Sequence, residues 1–166
     1  MANLLYLLNQ QLREVMSLGT ESERKETTRY AKEKINLFLD SGEHSLAVLV
    51  SEIYLNIRLK SVLVDWIYRN KESNYDVWKT TTTLFDRVGF SVLVGDCKKL
   101  GILTNNEETK FNRLSHHRNV AAHQSKMWRN GLPQPEANEI EELCRFVIEF
   151  LERHDEMPKQ VINPQC

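Results

Sequence analysis

Between Ser45 and Arg69 the apolar residues Leu46, Leu49, Val50, Ile53, Ile57, Val64, Ile67 and Tyr68 are spread too widely around a helix to form a single narrow stripe. A helix that is apolar on most of its circumference has to be covered from several sides, which places this segment in the middle of a helical bundle. Glu52, Asn56 and Arg58 lie inside the same segment. Buried polar groups need partners from neighbouring helices. For Glu52 two roles are open: it orients Arg118 across a helix pair, or it forms a buried salt bridge that only fixes packing.

The rest of the chain also reads as helix. Leu4 to Leu18 is amphipathic and stops at Gly19, and Thr20 with Glu23 forms a capping-box signature for a charge-rich helix running to Asp40, ended by Ser41-Gly42. Asn70 to Asn74 breaks the pattern before a further helix through Trp78, Leu84 and Phe85, although its β-branched Thr80 to Thr83 are weak helix formers. Phe90 to Val94 is short enough for a strand, but Val94, Cys97 and Leu100 recur at helical spacing up to Gly101 and predict a helix. Thr104 with Glu107 is a second capping box. It opens a helix expected to reach Gly131, with Phe111, Leu114 and Val120 to Ala122 facing the core and Asn119 and His123 turned to the opposite edge. After the Gly131 to Pro135 loop, Ile140, Leu143, Cys144, Val147, Ile148 and Leu151 make the apolar stripe of a final helix.

The expectation is therefore all-α, a helical bundle with short loops, two of its helices preceding the central one. A chain of 166 residues, 41% hydrophobic, suits one structural domain. Within it, residues 1–42 read as a helical extension packed on the core, 43–157 as the main helical domain and 158–166 as a flexible tail. Cys97, Cys144 and Cys166 are few, odd in number and widely separated, so neither a disulfide framework nor a thiolate zinc site is expected. The polar residues among Met1 to Leu18 argue against a signal peptide or a membrane span, which points to a cytoplasmic chain without membrane attachment.

Chemistry concentrates in Arg118-Asn119-Val120-Ala121-Ala122-His123. Histidine takes and gives protons near neutrality, and arginine stays charged and grips phosphate with two parallel hydrogen bonds. Asn119 and His123 are four residues apart, about 40° on a helix, with Arg118 beside them. The chain as a whole carries a net charge of -1, yet no acidic residue falls between Thr109 and Pro135, where Lys110, Arg113, Lys126 and Arg129 join His117 and the motif. From Glu136 to Glu156 the sign reverses. Two readings of this segregation are open: a cationic patch for a polyanion such as RNA, or two neighbouring helices that pair opposite charges. His116 and His117 point about 100° apart on a helix, which argues against a metal site, and no metal or cofactor is expected.

Leu100-Gly101-Ile102-Leu103, the acidic pair Glu107-Glu108 and Leu114-Ser115-His116-His117-Arg118-Asn119-Val120-Ala121-Ala122-His123 resemble the signature helix of the HEPN superfamily, whose motif is Arg, a polar residue, a few variable positions and His. The resemblance spans roughly Ser45 to Arg153 and implies a HEPN-like helical bundle. Many members are metal-independent endoribonucleases in toxin-antitoxin pairs, phage defence and CRISPR effectors. The resemblance implies catalytic Arg118 and His123 with Asn119 in support, and an antitoxin or other defence protein as a neutralising partner; on the cationic reading of the charge pattern, RNA is bound by Lys110, Arg113, His117, Lys126 and Arg129. The Arg-Asn and Ala-His frame is also similar to the helical mannitol operon repressors, which implies a non-catalytic regulator instead. Some toxins carry a modifiable tyrosine two places after the histidine; here that position is Ser125.

Cleavage by the ribose 2′-hydroxyl needs a base, an acid and positive charge for the developing phosphorane. One motif offers one well-placed histidine, so a twofold homodimer that joins two motif helices is expected to be the catalytic unit.

Overall fold

The central segment forms a helix that touches every other element described. The computed structural model describes residues 21–70, 88–123 and 134–156. Over these the chain forms α1 (Glu21–Asp40), α2 (His44–Asn70), α3 (Phe90–Lys99), α4 (Asn105–His123) and α5 (Gln134–Arg153), with no strand among the described residues. The protein is an all-α bundle in which α2 packs against α1, α3, α4 and α5. None of the described helices is long and apolar enough to cross a membrane. The expected helix at Leu4 to Leu18, the segment around Trp78 and the tail after Pro158 lie outside the described residues.

Local chemistry sets the helix ends. At the close of α1, Ser41 Oγ donates to the carbonyls of Leu37 and Phe38. Gly42 follows with φ +74°, a left-handed conformation that suits glycine, and its N–H reaches the Leu39 carbonyl at 3.0 Å. Gly101 does the same after α3, with φ +73°. The box at the start of α4 is made in both directions: the Thr104 N–H donates to Glu107 Oε2 at 2.8 Å, and the Glu107 N–H donates to Thr104 Oγ1 at 3.2 Å. Glu107 is buried and also takes Arg153 Nη2 at 3.0 Å. Burial alone would raise its pKa, but the two Thr104 hydrogen bonds and Arg153 outweigh that and hold the carboxyl below the usual range.

Fully buried Val48, Leu55 and Leu59 of α2 meet Ala31 and Ile35 of α1, Leu93 and Val94 of α3, Phe111 and Leu114 of α4, and Ile140, Val147 and Phe150 of α5. Phe111 and Phe150 cross edge to face with centroids 5.0 Å apart. α1, expected as an extension packed on the core, contributes Ala31, Ile35 and Leu39 to this same cluster. The order of ion pairs gives the helix directions. Arg153 to Glu107 and His117 to Glu139 run α4 antiparallel to α5, whereas His44 to Glu141 and Arg58 to Asp155 run α2 parallel to α5.

One end of the bundle is locked by buried charge. Arg24 grips Asp65 with two parallel bonds of 2.8 and 3.1 Å. Arg58, 4% exposed, donates to the carbonyls of His154 and Arg24, to Thr28 Oγ1 at 2.9 Å and to Asp155 Oδ1 at 3.0 Å. These bonds join α1, α2 and the end of α5, and satisfy a charge whose burial would otherwise be prohibitive.

Candidate functional site

Phe111, Leu114 and Arg118 follow one another by three and four residues, about one helical turn each, so all three leave α4 on its core side. Arg118 therefore starts toward α2, where Glu52 meets it. Both Nε and Nη2 of Arg118 donate to Glu52 Oε1, at 2.8 and 2.5 Å. The remaining terminal nitrogen, Nη1, turns back to the exposed edge and donates to Asn119 Oδ1 at 2.9 Å. The result is a chain of contacts from a buried carboxylate, 8% exposed, through a guanidinium side chain 35% exposed, to a surface amide. Glu52 Oε2 is buried without a hydrogen-bond partner.

Of the two roles open to Glu52, the contacts are compatible with orientation: the carboxylate fixes the plane of the guanidinium, and the guanidinium fixes the amide. With Oδ1 occupied, the Asn119 NH2 group is the part left to face a ligand. His123 lies one helical turn beyond Asn119 as the last described residue of α4, and its side chain, with Lys126, Trp128 and Arg129, falls outside the described residues.

The remaining sequence-derived contacts go elsewhere. Lys110 Nζ donates to Glu142 Oε1 at 2.8 Å and lies 4.4 Å from the centre of the Phe146 ring. Lys110, through that hydrogen bond and its charge, draws the Glu142 carboxyl below the usual carboxylate range. Arg113 pairs with Glu139, and His117 Nε2 stands 3.3 Å from Oε2 of the same residue. The charge segregation visible along the chain thus appears, over the described residues, as pairing between antiparallel α4 and α5. Ala122, expected in the core, is exposed, and Val120 and Ala121 are half-buried, because the buried face of α4 is taken by Phe111, Leu114, Ser115 and His117. Ser115 and His117 flank Leu114 at one and three residues, a position the apolar pattern alone does not mark as buried.

Two other reactive groups are sealed off. Burial pushes the Cys97 thiol up to about 12 and the Cys144 thiol up to about 11, so neither supplies a thiolate at neutral pH. Among the described residues no group of three or more His, Cys, Asp or Glu side chains is placed to hold a metal ion. Comparison with protein-family models, with curated proteins and with solved structures gave no match.

Proposed function

We propose that the chain is a metal-independent endoribonuclease of the kind its motif resembles, with Arg118, Asn119 and His123 as the reacting set. The observation that carries this reading is the Glu52–Arg118–Asn119 chain of contacts, which places an oriented guanidinium and amide one turn from a histidine. In this reading the RNA 2′-hydroxyl attacks the adjacent phosphorus, His123 moves a proton, and Asn119 with Arg118 Nη1 meets the charge that develops on the phosphorane. The products are a 2′,3′-cyclic phosphate and a 5′-hydroxyl.

His117 is a poor source for the second proton-transfer group, being buried against Glu139. That favours a homodimer in which two motif helices share a cleft, with an antitoxin-like partner as the means of restraint. Incubation with total RNA in EDTA tests the assignment: His123→Ala is expected to slow cleavage by about a hundred- to ten-thousandfold. Cleavage by that variant at the wild-type rate would overturn it.

The pairing of Lys110 with Glu142 and of Arg113 with Glu139 favours a second reading, a non-catalytic regulator or scaffold. Such a protein is tolerated on expression and keeps its partner after His123→Ala, whereas a ribonuclease is toxic and loses toxicity.

A further inference from the structure

The outer face of α4 carries a row of side chains of which the cleavage reaction uses only the C-terminal end. Asn105, Thr109, Asn112, His116 and Asn119 recur every three or four residues, and all five are exposed. That spacing sets them on one line along the helix, which continues to His123. An ordinary solvated helix face is rich in Lys and Glu. This one has neither. It offers amides, a hydroxyl and imidazole instead.

Midway along the row a surface depression of about 590 Å³, open to solvent over most of its mouth, is lined by Thr109, Asn112, Arg113, His116 and His117. Its volume falls in the range of small-ligand sites, about 300–1,000 Å³. His117 Nε2 is buried there, 3.3 Å from Glu139 Oε2 without the geometry of a hydrogen bond, and the His116 and His117 rings meet edge to face with centroids 5.8 Å apart. Both Arg113 and His117 are backed by the Glu139 carboxylate. Phosphate would meet a cation already paired and a negative charge behind it. An unpaired nucleobase suits the same lining far better, since it has a π-face for imidazole to stack on and edge donors and acceptors for amide, hydroxyl and carboxylate.

We infer that this depression holds an unpaired base of the RNA strand whose phosphate lies at Asn119 and His123. His116 precedes Asn119 by three residues and His123 by seven, so the base site lies about 5–10 Å along the helix axis from those groups. A strand following the exposed row passes from one to the other. The base site rests on the ribonuclease reading and gives it a specificity element: side chains that select the base beside the cut.

The test uses a short 2′-O-methyl RNA, which cannot be cut by 2′-hydroxyl attack, titrated into the full chain and read by fluorescence anisotropy. The proteins compared are wild type, Asn112→Ala/His116→Ala and His123→Ala, with adenosine monophosphate as competitor. Loss of the stacking ring and the amide is expected to weaken RNA binding about tenfold or more. Melting temperature is expected to hold, both side chains being exposed. His123→Ala removes a contact to the phosphate and not to the base, so it should weaken RNA of every sequence alike, and by less than the double variant does. An affinity for the double variant within about twofold of wild type overturns the inference. So does a mononucleotide that competes as well as RNA, which makes the ligand a free nucleotide, or a double variant whose only change is dimer dissociation in sedimentation, which makes the face a contact between copies. If the modified RNA binds with the expected dependence on Asn112 and His116 while ordinary RNA is never cut, the base site stands and the enzymatic reading falls.

Discussion

Two arginines make ion pairs at α2, Arg58 buried on that helix and Arg118 half-buried against it, and their surroundings differ in one respect. Arg58 has its terminal N–H groups taken up by two carbonyls, a threonine hydroxyl and Asp155, and Asp155 Oδ1 accepts from Thr28 as well. Arg118 leans on a single oxygen of Glu52, leaves the other oxygen unpartnered and extends a nitrogen to a surface amide. A saturated network holds helices together. An unsaturated one that ends at the surface keeps polar capacity in reserve, which is the condition of a site that binds something.

Arg58→Ala should break the saturated end most severely. It strands the half-buried Asp155 and the buried Thr28 and is expected to cost about 3–5 kcal/mol in urea unfolding; a loss below about 1 kcal/mol would mean that the cluster does not hold α1 and α5 together. Glu52→Gln should sharpen the contrast. The charge-assisted bonds to Arg118 are lost for about 1.5–3 kcal/mol of stability, while RNA cleavage, on the proposed reading, falls up to about a hundredfold because the guanidinium is no longer held in plane. Equal and small losses at both arginines would erase the distinction.

The smallest effect is titration at the saturated end. Burial, assisted by Arg153 and Arg58, lowers the pKa of His154, whose carbonyl accepts from Arg58. The folded state thus prefers the neutral ring, and the unfolded chain takes up a proton first as pH falls. Stability from this group is present above the ordinary value of 6.5 and is lost as pH drops through the lower folded value. Unfolding midpoints compared at about pH 7.5 and about pH 5.5 should fall in wild type and fall less in His154→Phe, whose ring keeps the contact with Phe150 at 4.4 Å between centroids.

The sequence was most informative where structure is local. Thr104 and Glu107 are three residues apart, and their reciprocal cap is dictated by helix geometry, so the start of α4 could be read directly. The same holds for the span of α2 and for Glu52, a carboxylate in an apolar helix that must find a cation. What escaped were partners distant in sequence. Arg24 finds Asp65 across 41 residues and Arg58 finds Asp155 across 97, and nothing in the spacing of either names the other. Lys110 and Arg113 show what composition leaves open: a run of one sign reveals that charge is segregated but not what faces it, and here Glu142 and Glu139 do. His117 was read as a surface ligand and is buried, since a ring flanking Leu114 can be covered as readily as an aliphatic side chain.

The placement of charge on α2 bears on how the bundle avoids sliding. Glu52 and Arg58 have opposite signs, six residues apart on one helix, and each is answered by a different neighbour, α4 by Arg118 and α5 through Asp155. Apolar side chains tolerate a shift of one turn, about 5.4 Å, far better than charges do. Displaced by that amount, α4 would set Leu114 or Ala122 against Glu52, and α5 would set Leu151 against Arg58. The two charges therefore work as register keys, one for each neighbouring helix, and exchanging Glu52 with Arg118 should leave the alignment intact where changing either alone would not.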